Sequence, residues 1–181
     1  MLNIDEFAVV ASREQAALFS AACAERSSGI LFWTVSSSGR PADLDRYVRT
    51  LDMLWVPDFE DRSVYESQRR ELEGMHEMVV GDELTGPSAL ALYSVVTLHS
   101  ALKVIATGST DAILECSMAA RNAAFRAQRR LNVPLLVAEE RYQDDDVNDL
   151  VTGGGVDSLR VRAQQNGRDR FDLMYAAYSS S

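Results

Sequence analysis

The sequence predicts an all-α fold, and three observations carry that reading. Apolar residues recur at three- and four-residue spacing over Leu44, Tyr47, Val48, Leu51, Leu54 and Trp55, and small residues do so over Ala112, Cys116, Ala119, Ala120, Ala123 and Ala127. That is the period of a helix with one buried face. Ser12-Arg13-Glu14-Gln15 puts a hydroxyl at an N-cap and a glutamine three residues later, the reciprocal pairing of a capping box. No alternation of apolar and polar residues marks a strand in the first two-thirds of the chain. A chain of 181 residues, 46% hydrophobic and 25% charged, suits one domain with one sizeable core. The expected architecture is a single helical domain over 1–181, a bundle of about six to eight helices with a central antiparallel hairpin of 87–107 and 110–131.

Residues 3–10 read as a short first helix. From the Ser12 box a second helix runs through Ala16-Ala17-Leu18-Phe19 to Cys23, and Ser27-Ser28-Gly29 is expected to stop it. Ile30 to Val35 is a short apolar run that fits a buried helix or a strand equally well. Ser36 to Gly39 is a loop, and Pro41 suits the first turn of the helix that carries Leu44 to Trp55 and ends at Pro57. Residues 61–79 form a charged helix with sparse apolar positions at Val64, Leu72, Met75 and Val79.

Residues 87–106 form an apolar helix whose one charged residue is Lys103. Ser88, Ser94, Thr97, His99 and Ser100 are spread through it, so it reads as the buried helix of a bundle rather than a bilayer span. The helix from Asp111 to Leu131 has Asp111 and Glu115 near its start and Arg126, Arg129 and Arg130 near its end, which suits the macrodipole at both ends. Its small-residue stripe allows a neighbouring helix to approach closely. Beyond Pro134 the pattern weakens. Residues 139–155 read as an acidic, Gly-rich connection to a C-terminal helix over 156–178, with Phe171, Met174 and Tyr178 on one face. Asn166-Gly167 leaves a hairpin open as the alternative there.

Eighteen basic and twenty-seven acidic residues give a net charge of −9. The excess is concentrated in 43–83, with twelve acids and five bases, and in 139–149, with six acids and one base. Such a balance argues against nucleic acid and against an anionic membrane surface as partners, because both need clustered cations. It favours encounter with a basic protein. The acidic start, Met1-Leu2-Asn3-Ile4-Asp5-Glu6, is unlike a signal peptide, and two cysteines far apart in the chain fit a reducing compartment, so a cytoplasmic location is expected.

Complete catalytic sets are missing from the sequence. Glu73 and His76 match one Glu-x-x-His of a di-iron bundle, but the other histidine, His99, has Val96 three positions before it, so Glu73 and His76 read as a surface pair. There is no Gly-x-Ser-x-Gly elbow. Gly153-Gly154-Gly155 is followed by no Gly-Lys-Ser/Thr. Asp144-Asp145-Asp146 lacks the central glycine and terminal glutamate of a calcium loop. No cofactor and no metal is expected.

Leu51-Asp52-Met53-Leu54-Trp55, Pro57-Asp58, the helix around Ala89 to Tyr93, the Ala-rich helix from Asp111 and the early run Ala21-Ala22-Cys23-Ala24-Glu25-Arg26 together resemble domain of unknown function family 416, a family of small all-helical bacterial proteins. The resemblance spans about half to two-thirds of the chain, at core and turn positions. It implies an all-α fold and brings no catalytic residue with it.

Two function classes follow. One is a non-enzymatic, protein-binding helical protein, of the immunity or inhibitor type, that covers a basic partner with an acidic surface of Asp43, Asp45, Asp58, Glu60, Asp61, Asp144, Asp145 and Asp146. The other is a small-molecule enzyme or ligand carrier with a pocket between helices near His99, lined by Trp55, Tyr93, Ser94 and His99. A homodimer pairing helix faces is a third arrangement.

Overall fold

The computed structural model describes residues 2–179. Among them are nine α-helices, one 3-10 turn and no strand: α1 Ile4–Val10, α2 Arg13–Ser37, α3 Pro41–Trp55, α4 Arg62–Glu73, α5 His76–Val80, a 3-10 turn at Gly81–Glu83, α6 Gly86–Thr107, α7 Thr110–Leu131, α8 Leu135–Thr152 and α9 Val156–Tyr178. The helix count exceeds the expected six to eight for two reasons: the expected connection at 139–155 is mostly helix α8, and one expected helix is split. The charged segment 61–79 breaks at Gly74-Met75 into α4 and α5.

The starts of the helices are where the polar residues put them. Asn3 and Glu6 cap α1 reciprocally, and Ser12 and Gln15 do the same for α2, which satisfies backbone donors that have no partner inside the helix. Asp61 caps α4 and Ser109 caps α7, while Pro41 opens α3. Gly108 takes a left-handed conformation (φ 64°) and donates its N–H to the Val104 carbonyl, ending α6 so that α7 begins two residues later. Lys103 and Glu115 then pair across the two helices at 2.6 Å.

Helix α2 lies at the centre of the bundle, and α6 and α7, the expected hairpin, pack against each other and both pack on it. Sixteen consecutive residues, Ala16 to Leu31, are buried, and α3, α6, α7, α8 and α9 all pack on this helix. A helix buried all round must satisfy its polar side chains internally. The Ser20 hydroxyl donates to the Ala16 carbonyl, Ser27 to Cys23 and Ser28 to Glu25, so the serines expected to stop the helix sit within it.

Gly29 does not stop α2 either, because α9 crosses there at backbone contact. A Cβ on Gly29 would lie 1.9 Å from the Gly167 carbonyl oxygen and 2.8 Å from the Phe171 nitrogen. A Cβ on Gly167 would lie 2.7 Å from the Glu25 carbonyl oxygen. Asn166-Gly167 is therefore the crossing point of one continuous helix, and the hairpin alternative does not occur.

One large apolar cluster joins α1, α2, α3, α4, α6, α7, α8 and α9, with Phe7 on Phe19 at 5.5 Å between ring centroids. A second gathers Ile30, Trp33, Leu90, Ala127 and Met174, with Tyr178 against Trp33 at 5.1 Å. The α7 stripe of Ala112, Cys116, Ala119, Ala120, Ala123 and Ala127 is buried throughout. Helix α6 has the length and hydropathy of a membrane span, and 67% of its most apolar 18-residue stretch is packed inside the protein. The acidic stretch expected as a connection is helical. Residues 139–152 belong to α8, and only Gly153-Gly154-Gly155 link it to α9.

Gly29→Ala is expected to lower the unfolding free energy by about 1–3 kcal/mol or more, the cost of forcing a side chain into a filled contact. Gly74→Ala, whose added carbon meets only the Glu71 carbonyl at 3.4 Å, is expected to stay within about 0.5 kcal/mol of the parent. Urea unfolding followed by circular dichroism compares them, and equal stability of Gly29→Ala and the parent would rule out the backbone crossing.

Candidate functional site

The eight acidic residues expected to form one surface fall on three elements. Asp43 and Asp45 stand in the first turns of α3, Asp58, Glu60 and Asp61 in the loop between α3 and α4, and Asp144, Asp145 and Asp146 in the middle of α8. Asp45, Asp58, Glu60, Asp61, Asp144 and Asp145 are exposed, and none of these six is in a salt bridge among the described residues.

The loop is ordered by its own polar groups. The Tyr65 hydroxyl accepts from the Asp58 N–H at 2.6 Å, the Asp58 carboxylate from the Glu60 N–H at 2.9 Å, and the Asp61 carboxylate from the Ser63 N–H at 3.2 Å. The Arg13 guanidinium lies 4.6 Å from the Phe59 ring, fixing the loop against the start of α2.

Two of the eight are not free surface carboxylates. Asp43 is half-buried between Arg40, at 3.0 Å, and Arg46, at 3.4 Å. Asp146 is fully buried. Successive residues of a helix point about 100° apart, so Asp144 and Asp145 face solvent while Asp146 turns inward against α2.

That inward turn places Asp146 in a buried ion cluster. Arg26 of α2 bonds Asp146 and meets Glu139 at 3.0 Å, Arg170 of α9 meets Glu139 at 2.5 Å, and Arg162 bridges Asp146 at 2.8 Å and Asp149 at 2.7 Å. Gln143 donates to Glu139 and accepts from Ser117 of α7. Burial alone would raise the Glu139 carboxyl. The charges of Arg26 and Arg170, with hydrogen bonds from Arg26 and Gln143, outweigh it and hold the group at about 2.

The four residues of the expected pocket are drawn apart by their partners. The Trp55 indole donates to the Glu25 carboxylate at 2.8 Å and is buried against α2. The Ser94 hydroxyl donates to the Ser27 carbonyl at 2.7 Å inside the core. His99 faces α4, where Glu73 approaches it at 3.3 Å. So Glu73 pairs with His99, and the expected pair with His76 does not form, because the break at Gly74-Met75 puts His76 on α5. Burial, then the charge of Arg69, lowers the His99 imidazole despite Glu73. Tyr93 lies under Arg126 at 5.3 Å, in a groove of about 470 Å³ with Arg129 and Arg130. Among the described residues, Tyr93 lines this groove while Trp55 and Ser94 are held in the core.

Two further cavities lie over α2. Helices α3 and α9 each pack along α2 without extensive contact with one another, so α2 floors a cleft between them. One part of it, about 670 Å³, is lined by Phe32, Leu44, Asp45, Val48 and Arg49. A second, about 460 Å³, contains Glu25, Phe32, Arg168, Phe171 and Asp172. Sequence reasoning missed Glu25. The available signal was a Glu-Arg pair at the end of the apolar run Ala21-Ala22-Cys23-Ala24, where charges on a buried helix need partners.

Comparison with known protein families, with curated proteins and with solved structures finds no match for this chain.

The Glu139 carboxyl lies below its ordinary value of 4.5 in the folded state, so its contribution to stability is present above that pH and is lost as pH falls from there through about 2. Glu139→Gln leaves Arg26 and Arg170 short of counter-charge and is expected to cost about 3–5 kcal/mol. It should also flatten the acid limb of the stability profile. Urea unfolding across this range reads both effects, and an acid limb unchanged in Glu139→Gln would remove Glu139 as its source.

Proposed function

We propose that this chain is a non-enzymatic, cytoplasmic helical protein that works by binding a basic protein through an acidic surface, in the manner of an immunity or inhibitor protein. The observation that carries the reading is the ordered loop of Asp58, Glu60 and Asp61. It presents three exposed carboxylates without ion-pair partners among the described residues, on a backbone held by Tyr65 and Asp61 itself. Carboxylates left unpaired while Asp43 and Asp146 are neutralised locally are available to an outside cation. A loop already ordered gives up less conformational freedom on binding. Asp45, Asp144 and Asp145 stand on other elements and extend the negative field that steers a basic partner toward the protein.

Charge reversal of Asp58, Glu60 and Asp61 to lysine tests this. The tagged parent, incubated with a lysate of its source, is expected to retain a basic protein at low salt and release it at high salt. The triple variant is expected to retain about a tenth or less, because like charges then face each other. Its own stability is expected to fall by about 0.5–2 kcal/mol, because Asp61→Lys removes the N-cap of α4, and a thermal melt establishes that it is folded. Equal capture by parent and variant, with the same salt dependence, would defeat the proposal.

A further inference from the structure

The cavity over α2 holds a carboxylate that the fold leaves without a cation. Glu25 is only 8% exposed, yet it lines the 460 Å³ cavity between α2 and α9. Its Oε2 accepts from the Trp55 indole at 2.8 Å, and it has no salt bridge among the described residues. A carboxylate has about four lone-pair sites, so one indole leaves most of its accepting capacity unused.

The charged neighbours do not supply the missing cation. Arg160 is engaged with Asp52 at 2.7 Å. Arg168 and Asp172, both exposed, share the rim and offset each other. Glu25 and Asp172 against Arg168 leave the lining with one negative charge in excess. Burial raises the Glu25 carboxyl, opposed by the Trp55 hydrogen bond and by Arg160.

The rest of the lining fits an organic body. Phe32 of α2 and Phe171 of α9 contribute aromatic rings, whose faces attract cations, and Gln164 adds an amide. The floor is close-packed backbone, set by the Gly29–Gly167 crossing, so the cavity ends where α9 meets α2. Its volume is in the range that small-molecule sites occupy. One buried carboxylate and two phenyl rings are a poor ligand set for a hard metal ion, which needs six or more oxygens.

We propose that this cavity binds a compact organic monocation, an ammonium carried on an aromatic or alkyl body. The ammonium sits on Glu25 with Asp172 at the rim, and the body lies between Phe32 and Phe171. The site is separate from the acidic loop and independent of the partner proposed for it.

Phenethylammonium and 2-phenylethanol, which share a body and differ in charge, are the probes, titrated by calorimetry and by tryptophan fluorescence. Saturable binding of the amine is expected, about tenfold or more tighter than the alcohol. Glu25→Gln keeps an oxygen for the Trp55 indole and removes the charge, and is expected to weaken the amine about tenfold while leaving the alcohol unchanged. Asp172→Asn, at an exposed position, is expected to weaken it about threefold, and Asp111→Asn on α7 not at all. Thermal melts establish that each variant is folded. Should Glu25→Gln not fold, the amine–alcohol comparison in the parent and in Asp172→Asn decides. No saturable binding of the amine up to about 10 mM, equal affinity for amine and alcohol, or a folded Glu25→Gln that binds the amine as the parent does would each overturn the proposal.

Discussion

Burial of Arg26 within α2 is the constraint to which much of this bundle answers. A guanidinium removed from water is tolerated only when paired and hydrogen-bonded, and Arg26 is 1% exposed. Glu139 and Asp146 of α8 meet it, Arg170 of α9 balances Glu139, and Arg162 of α9 balances Asp146. Beyond the short glycine link and the shared apolar core, these ion pairs bridge α8 and α9 through α2. An apolar interface of the same size would be no less stable. The ionic one ties three helices to a single register.

The same helix that carries the ion cluster also shapes a cleft on a neighbouring face. With α9 packed on α2 at two glycines and α3 on a separate course, a cleft remains over Glu25 and Phe32. Arg26 and Glu25 are adjacent in sequence and meet opposite fates. Arg26 turns into a neutralised interior, and Glu25 turns toward a cavity with an indole as its bonded partner. The loop of Asp58, Glu60 and Asp61 lies at the start of α2, beside Arg13. One long buried helix therefore organises the fold and supports both proposed binding regions.

Most of the secondary structure was legible from side-chain spacing. Both capping boxes and the apolar spacing of α3, α6 and α7 depend on residues within a few positions of each other, and such interactions are written locally. Local signals failed at the Gly74-Met75 break of 61–79 and in two further places. Ser27-Ser28-Gly29 reads as a stop because serine and glycine are poor helix formers, but tertiary contact with α9 outweighs propensity there. The 139–149 stretch reads as a solvated connection because its charge is high, yet Glu139 and Asp146 are the buried counter-ions of α8.

The candidate sites divide along the same line. Exposure of Asp45, Asp58, Glu60, Asp61, Asp144 and Asp145 agrees with a reading of charge alone. The burial of Asp146, the pairing of Glu73 with His99, and the dispersal of Trp55, Ser94 and His99 required the packing. The sequence by itself determined an all-helical chain with a strong acidic bias, because helix period, caps and net charge are local or additive properties. The tertiary structure decided which acids are counter-ions and which face solvent, and it made the cleft over Glu25, because those outcomes depend on contacts between residues more than a hundred positions apart, Arg26 with Glu139 and Gly29 with Gly167 among them.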